Sequence, residues 1–330
     1  MITARTTRLV RVPDLHAFRQ AVGDLACGGS SADARDRLIL VPTRAAAVYL
    51  IRSLERRRPL GPDGAVILPD FVTREELHST LAQRLPQVPV PLTAAEREVL
   101  MAVACRAARE AGTDPPFRLR PGLVAAVVEF YDTLQRNLKQ VDTFERLALG
   151  MLEPGAGDDR GAERLVRQTR FLVATFRRFE RLCQDTGAVD EHLLRRRLLA
   201  DAPSRPWRHV VVAVGDRTSD PYGLFPADWD VLARMHGLER LDLVITDALL
   251  AGALHEQIHQ VLPGIEELRP GTGEPRALPV LVVPPGGPLV HTARDREEEV
   301  AGFARWVRGD MRALDRTALV VRRPLPYVYL

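Results

Sequence analysis

The sequence predicts an α/β fold in which a large helical insert interrupts a parallel sheet. Short apolar runs alternate with amphipathic helical patterns before Pro89 and again after His209, and this alternation is typical of a parallel sheet. Between Thr93 and Ala202 the periodic segments all have helical spacing. The insert therefore separates two parts of one α/β domain.

The first part supplies short apolar runs of the kind that become buried parallel strands. The expected strands are Leu9–Val12, Leu38–Val41 and Val66–Leu68. Helices are expected from Asp14 to about Leu25, from Pro42 and Thr43 onward, and after Thr73, which has the capping-box spacing to Glu76.

The insert shows helix signals only. Its first helix follows Thr93, which forms a second capping-box pattern with Glu96. The others are expected from Pro121 to about Gln140, from Asp142 to the Gly-rich stretch Pro154–Gly161, from Ala162 to Asp185, and from Asp190 to Ala200.

The alternating pattern resumes after the insert. Strands are expected at Val210–Val214, Leu241–Thr246, Val280–Val283 and Ala318–Val321, and helices at Asp228–Met235, Ala248–Val261 and Arg294–Met311. The predicted organisation is a first α/β part over residues 1–90, a helical insert over 91–205, a second α/β part over 206–287, and the start of another α/β domain over 288–330.

Composition narrows the class of protein. The 330 residues are 46% hydrophobic and 27% charged, as in ordinary globular proteins, and the net charge of +3 alone gives no argument for a nucleic-acid partner. Cys27, Cys105 and Cys183 form no CxxC pair, which favours reduced thiols and a cytoplasmic location. The longest apolar runs, such as Val210–Val214, are far shorter than a membrane span, so no membrane partner is expected.

Lys139 is the only lysine, and this excludes two kinds of catalytic site. A P-loop needs a Gly-rich loop that ends in Lys followed by Ser or Thr, whereas Lys139 lies in a predicted helix. Nucleases that use an acidic residue two positions before a lysine are also excluded, because Asn137 occupies that position. Neither ATP hydrolysis nor this nuclease chemistry is therefore expected, and no cofactor is implied.

An HExxH pattern is formed by His255, Glu256 and His259. On a helix the two histidines share one face and can both bind zinc, with the glutamate as general base. A third ligand is not evident, because Glu266 and Glu267 follow too soon to lie on a following helix. We expect surface residues of an amphipathic helix, and a zinc-dependent hydrolase is the alternative.

A GDxxxD pattern runs from Gly215 to Asp220 and resembles the Mg²⁺ loop of haloacid-dehalogenase-like phosphatases. Those enzymes also need a nucleophile loop with two aspartates after the first strand. Asp14 is the only aspartate directly after Leu9–Val12. We therefore expect Asp216 and Asp220 to cap a turn at the end of a strand.

An arginine stripe lies on the longest predicted helix. Arg167, Arg170, Arg177 and Arg181 share one face, opposite an apolar face. Arginine pairs well with phosphate, so the stripe could follow a nucleic-acid backbone. The alternative is a solvated face paired with nearby acidic residues.

The order of these parts is itself informative. The segment Val41–Arg44 follows a buried strand, the segment His209–Asp220 forms a strand and loop after the insert, and Glu297–Glu299 lie on a helix before the apolar run Ala318–Val321. In this order the chain resembles the N-terminal part of AddB-type helicase–nuclease subunits of the PD-(D/E)XK nuclease family, which are degenerate relatives of UvrD-like helicases.

The resemblance implies a RecA-like parallel sheet with an inserted all-helical domain and the first βαβ unit of a second, truncated RecA-like domain. Thr43 and Arg44 would belong to the Ia-type motif that touches single-stranded DNA. Val214, Gly215 and Asp216 would occupy the Walker B position, where the catalytic glutamate is missing.

The function implied is that of a non-catalytic helicase-like region in DNA repair and recombination. It would bind DNA and an active helicase–nuclease subunit without hydrolysing ATP, while the full-length protein would be an exonuclease or helicase subunit. A protein-interaction scaffold without DNA binding remains a second alternative to this function.

Overall fold

The computed structural model describes residues 5–28, 31–57, 67–157, 159–218, 220–270, 292–309 and 319–321. The chain divides into two compact units, Met1–Thr272 and Gly273–Leu330. None of the described helices is both long enough and apolar enough to cross a bilayer.

The first unit is built on a six-stranded, all-parallel sheet. Its strands are β1 (Thr6–Val12), β2 (Arg37–Leu40), β3 (Asp70–Val72), β4 (His209–Val212), β5 (Arg240–Thr246) and β6 (Glu266–Leu268). Their order across the sheet is β3-β2-β4-β5-β1-β6. The predicted parallel α/β fold with a helical insert is thereby confirmed.

Helices connect these strands. Before the insert they are α1 (Leu15–Cys27), α2 (Ser31–Ala34), α3 (Arg44–Arg57) and α4 (Arg74–Ala82). The insert contains α5 (Ala94–Glu110), α6 (Pro121–Arg136), α7 (Val141–Leu152), α8 (Arg160–Asp185) and α9 (Glu191–Ala200). After it come α10 (Pro226–Arg234), α11 (Asp247–Leu250), α12 (Leu254–Val261) and, in the second unit, α13 (Arg296–Gly309).

The sheet is buried on both faces. Val210 and Val212 of β4 belong to one core, which includes residues of α4, α9, α10 and α12, whereas Val211 belongs to the opposite core with residues of α1 and α3. Because successive side chains in a strand point to opposite faces, an unbroken apolar run is required here.

The helical insert has a hydrophobic core of its own. Phe171, Phe176 and Phe179 on α8 are fully buried together with Tyr131 of α6. The Tyr131 hydroxyl donates a hydrogen bond to Glu180 at 3.0 Å. The predicted capping box at the start of α5 is confirmed, because the backbone N–H of Thr93 donates to the Glu96 carboxylate at 2.7 Å.

Two expected elements differ from the structure, and the structure has one strand that the sequence does not predict. The strand expected at Val66–Leu68 forms later in the chain, as β3 at Asp70–Val72. Pro69, just before it, has no N–H to donate to a neighbouring strand. Val66 lies outside the described residues. The helix expected over Ala248–Val261 is broken into α11 and α12 around Gly252. The edge strand β6 was not expected, because its acidic residues hide the strand pattern.

Only part of the βαβ arrangement predicted for the second unit falls on described residues. Helix α13 confirms the helix expected there, and Val280–Val283 lie outside the described residues. Leu319–Val321 form no strand, and Val320 is 91% exposed. A short apolar run becomes a stable strand only when neighbouring strands pair with it.

Candidate functional site

The carboxyl ends of the parallel strands define the edge where α/β folds place ligands. The connection from β1 leads to β2 on one side, and the connection from β5 leads to β6 on the other, although β1 and β5 are neighbours. The crevice at such a switch point therefore lies where Val12 and Thr246 end their strands.

The turn after β1 is too short to hold a phosphate. Only Pro13 and Asp14 separate β1 from α1. The Asp14 carboxylate accepts hydrogen bonds from the backbone N–H groups of His16 and Ala17, both at 2.8 Å. Phosphate groups bind helix N-termini through these same N–H groups, so here a carboxylate of the chain occupies that position.

Thr43 and Arg44 lie where β2 passes into α3, as expected. The Thr43 hydroxyl accepts a hydrogen bond from the Ala46 N–H at 3.1 Å and thus caps the helix. The Arg44 side chain is 67% exposed and forms an ion pair with Glu76. Its guanidinium is the group at this strand end that could exchange its partner for a phosphate.

The loop after β4 is folded on itself. Asp216 is buried and accepts a hydrogen bond from the Thr218 hydroxyl. The Asp220 carboxylate accepts from the N–H of Gly215 at 3.2 Å and from that of Tyr222 at 2.9 Å. These hydrogen bonds make both aspartates part of the turn, which is the arrangement expected from the GDxxxD pattern.

A close backbone approach completes this loop. A Cβ on Gly223 would lie 2.3 Å from the carbonyl group of Asp216, so only glycine fits at that position. Val214 is buried beneath the loop in the core, and the Gly215 carbonyl accepts the Leu224 N–H at 2.9 Å. The position at Val214, Gly215 and Asp216 that the resemblance assigns to Walker B is therefore closed by internal packing.

The edge also carries an arginine that the sequence analysis missed. Arg217 is exposed, directly follows Asp216, and lies 5.4 Å from the centre of the Phe225 ring. Arg74 and Arg136 approach the same ring at 4.8 and 5.3 Å. Because β2 and β4 are neighbours, Arg44 and Arg217 extend from adjacent strand ends. Nothing in a single sequence distinguishes Arg217 from the many other arginines.

A buried charge network lies behind this edge. Asp228 of α10 is fully buried, with Arg74 Nε at 3.0 Å and His78 Nε2 at 3.1 Å. Arg74 also pairs with Glu191 of α9, which Arg136 of α6 contacts at 2.6 Å. The network thus connects the sheet domain to the helical insert.

Two carboxylates of this network have lowered pKa values. Burial alone would raise the pKa of Asp228, but its interactions with His78 and Arg74 lower it overall. The pKa of Glu191 is also lowered, because Arg136 and Arg74 outweigh the effect of burial. Both groups are therefore charged when the protein is folded at neutral pH.

The arginine stripe on α8 is exposed along its length. Arg170 pairs with Glu153 at 2.9 Å, and Arg177 pairs with Asp142 and Glu145, both at 2.6 Å.

The other two arginines of the stripe differ in their contacts. Arg181 donates to the Arg177 carbonyl at 3.4 Å, and Arg167 lines a surface groove with Arg160 and Arg164. Within the described part of the chain neither Arg167 nor Arg181 forms an ion pair. The stripe thus contains two arginines paired with carboxylates and two that are not.

His255 and His259 both contact the carboxylate of Glu267. Their Nε2 atoms lie 2.6 and 2.9 Å from Oε1 of Glu267 on β6. Arg11 of β1 donates to the other oxygen, Oε2, at 2.9 Å. Hydrogen bonds from Arg11, His255 and His259, in that order of importance, lower the pKa of Glu267 to about 2.

Glu267 is a candidate third ligand that the sequence did not make evident, because it lies on a strand and not on a following helix. The chain reverses after α12 and enters the sheet as β6, and this brings Glu267 back alongside the helix.

Comparison with known proteins does not identify the chain: no family model matches the sequence, and a search of curated proteins finds no significant match.

Proposed function

We propose that this chain is a non-catalytic, helicase-like DNA-binding region that acts with an active helicase–nuclease subunit and does not itself hydrolyse ATP. The observation that carries the proposal is the carboxyl edge of the sheet. There the turn after β1 is closed by Asp14, while Arg44 and Arg217 extend from the ends of β2 and β4.

The proposed DNA ligand follows from the chemistry of this edge. Arg44 and Arg217 are exposed guanidiniums, which match phosphate oxygens, and Phe225 is a partly exposed aromatic ring beside Arg217. Single strands bind proteins through such combinations of cationic and aromatic side chains. The arginine stripe on α8 is the second surface proposed to contact the backbone of the strand.

The proposed partner follows from what this region lacks. Strand separation requires ATP hydrolysis, and neither the Asp14 turn nor the closed loop at Asp216 offers groups that would bind ATP or activate water. A region of this kind would contribute DNA contacts, while a second subunit would supply the motor. The resemblance to AddB-type subunits supports the same arrangement.

The purified chain is expected to show no ATP hydrolysis above a buffer blank, with or without single-stranded DNA. The reason is that the α1 N-terminus is already capped by Asp14 and the chain has no P-loop lysine. Phosphate release is the measurement. DNA-stimulated release that rises in proportion to the concentration of the protein, across two independent purifications, would contradict this prediction.

DNA binding is expected to be weak and steeply dependent on salt. Each phosphate contact with a single strand contributes a slope of about 0.7 to the plot of log affinity against log salt concentration. The double variant Arg44→Ala/Arg217→Ala is therefore expected to lower that slope by at most about 1.4, with the smaller share from Arg44, because Arg44 already pairs with Glu76. Fluorescence anisotropy of a labelled oligonucleotide over a series of salt concentrations measures it.

The α8 stripe provides a matched pair of variants for the same assay. Arg167→Ala/Arg181→Ala and Arg170→Ala/Arg177→Ala remove the same charge from the same helix face. Arg170 and Arg177 already form ion pairs with carboxylates. We therefore expect Arg167→Ala/Arg181→Ala to lower the slope more than Arg170→Ala/Arg177→Ala does. Unchanged slopes in all three double variants, or no binding by the wild type, would favour a scaffold that does not contact DNA.

A further inference from the structure

We propose that His255, His259 and Glu267 form a binding site for a divalent transition metal, with zinc as the best-matched ion. The site lies where α12 packs beside the edge strand β6, and it is independent of the DNA-binding function proposed above. Its failure would leave the DNA proposal unaffected, since no residue is shared between the two.

The donor set has the geometry of a helix-borne zinc site. His255 and His259 are one helical turn apart on α12, and their ring centres are 4.8 Å apart. The donor atoms of the two histidines and of Glu267 all lie within 4.8 Å of one another. Two imidazoles and one carboxylate form a set that binds zinc and leaves a fourth position for water.

The spacing of the donors can open to admit an ion. Zinc bonds of 2.0–2.1 Å in a tetrahedron separate the ligand atoms by about 3.3 Å. The two histidine nitrogens now lie 2.6 and 2.9 Å from Oε1 of Glu267, so an outward shift of less than about 1 Å per donor is needed. The three side chains are 31–39% exposed, so rotation about their side-chain bonds can supply this shift.

A second contact orients the carboxylate. Arg11 donates to Oε2 of Glu267 at 2.9 Å and to Asp247 at 3.0 Å, which leaves Oε1 directed at the histidines. Carboxylate ligands of metal sites are themselves held by such outer hydrogen bonds. Arg11 pairs with both Asp247 and Glu267, so these three groups together carry a net charge of −1, which favours a cation at this position.

A bound ion would join an edge strand to a helix. Strand β6 pairs with β1 over only three residues and has no strand on its other side in the described sheet. Imidazole and carboxylate donors favour zinc and its transition-metal neighbours over Mg²⁺ and Ca²⁺, which prefer oxygen ligands alone. Bridging α12 and β6 would stabilise this edge of the sheet.

The test is zinc binding to the full chain. The protein is freed of metal with a chelator, dialysed against zinc chloride and analysed for metal content, and the dissociation constant is measured by competition with a zinc-sensitive dye. We expect one zinc ion per chain in the wild type. His259→Ala and Glu267→Gln are each expected to weaken binding at least about tenfold.

Two matched variants control for the loss of a nearby acidic side chain and for nonspecific binding of zinc to exposed histidines. Glu256→Gln alters an exposed acid on the same helix, and His16→Ala removes an exposed histidine elsewhere. Both are expected to bind zinc as the wild type does. Far-UV circular dichroism verifies that each variant is folded, and Glu267→Gln preserves the shape of the side chain.

Thermal unfolding provides a second readout, because an ion that binds only the folded state raises the melting temperature. Zinc is expected to raise it in the wild type and in both controls, but not in His259→Ala or Glu267→Gln, while Mg²⁺ has no effect in any of them. Zinc content that is unchanged by those two substitutions, or no zinc retained by the wild type, would overturn the proposal.

Discussion

Replacement of Asp228 by alanine is expected to lower the free energy of unfolding by about 3–5 kcal/mol. Asp228 is fully buried and contacts the guanidinium of Arg74, whose side chain is 10% exposed. It also accepts the Phe225 N–H at 2.9 Å at the start of α10. Alanine would remove the acceptor of this N–H and one of the two carboxylates that pair with the buried Arg74 in the described structure.

Urea denaturation monitored by circular dichroism measures this effect. Asp230→Ala on the same helix is the matched control: it removes a carboxylate that pairs with Arg234, a partner whose side chain is 44% exposed. Exposed pairs contribute about 0–1 kcal/mol, so the control should be nearly as stable as the wild type. Equal losses in the two variants would show that the Asp228 network contributes no special stability.

The same network predicts how stability depends on pH. The pKa values of Asp228 and Glu191 are lowered in the folded protein, so both carboxylates bind protons more readily when the chain is unfolded. Their contribution is present above the ordinary carboxyl pKa of about 4 and is lost as pH falls through the lower folded-state values. Asp228→Ala should therefore lose less stability between neutral pH and acid than the wild type.

The sheet could be predicted because its signals are local. Runs such as Val210–Val214 are apolar at every position, and only a strand covered on both faces requires that pattern. The capping box at Thr93 and the long amphipathic pattern of α8 are likewise complete within a few turns of chain. Elements whose pattern lies within one short segment, such as β4, α5 and α8, are predicted correctly as strand or helix from the sequence.

The candidate sites depend on contacts between distant residues, and these leave no local pattern. Glu267 reaches His255 only because β6 joins the sheet beside β1. Strand β6 consists of two glutamates and a leucine, and this short sequence does not predict a strand. The pairing of Arg74 with Asp228 spans 154 positions. Charge alone could not reveal it in a chain with 46 basic and 43 acidic residues.

Replacement of Phe176 by alanine is expected to destabilise the helical insert by about 3–5 kcal/mol and to unfold it before the sheet. Phe176 is fully buried in the core of the insert, with its ring centre 5.3 Å from that of Tyr131. Truncation removes these contacts and leaves a cavity among α6, α7 and α8. Because the insert and the sheet have separate cores, the damage is expected to remain mostly within the insert.

The positions of the tryptophans make this prediction testable. The insert contains none, whereas Trp207 and Trp229 are buried in the core of the sheet domain. In Phe176→Ala the loss of helix by far-UV circular dichroism should precede the change in tryptophan fluorescence during urea denaturation. Leu224→Ala, at a fully buried position in the sheet core, should instead shift the fluorescence transition to lower urea. Coincident transitions in Phe176→Ala would mean that the insert and the sheet unfold as one cooperative unit.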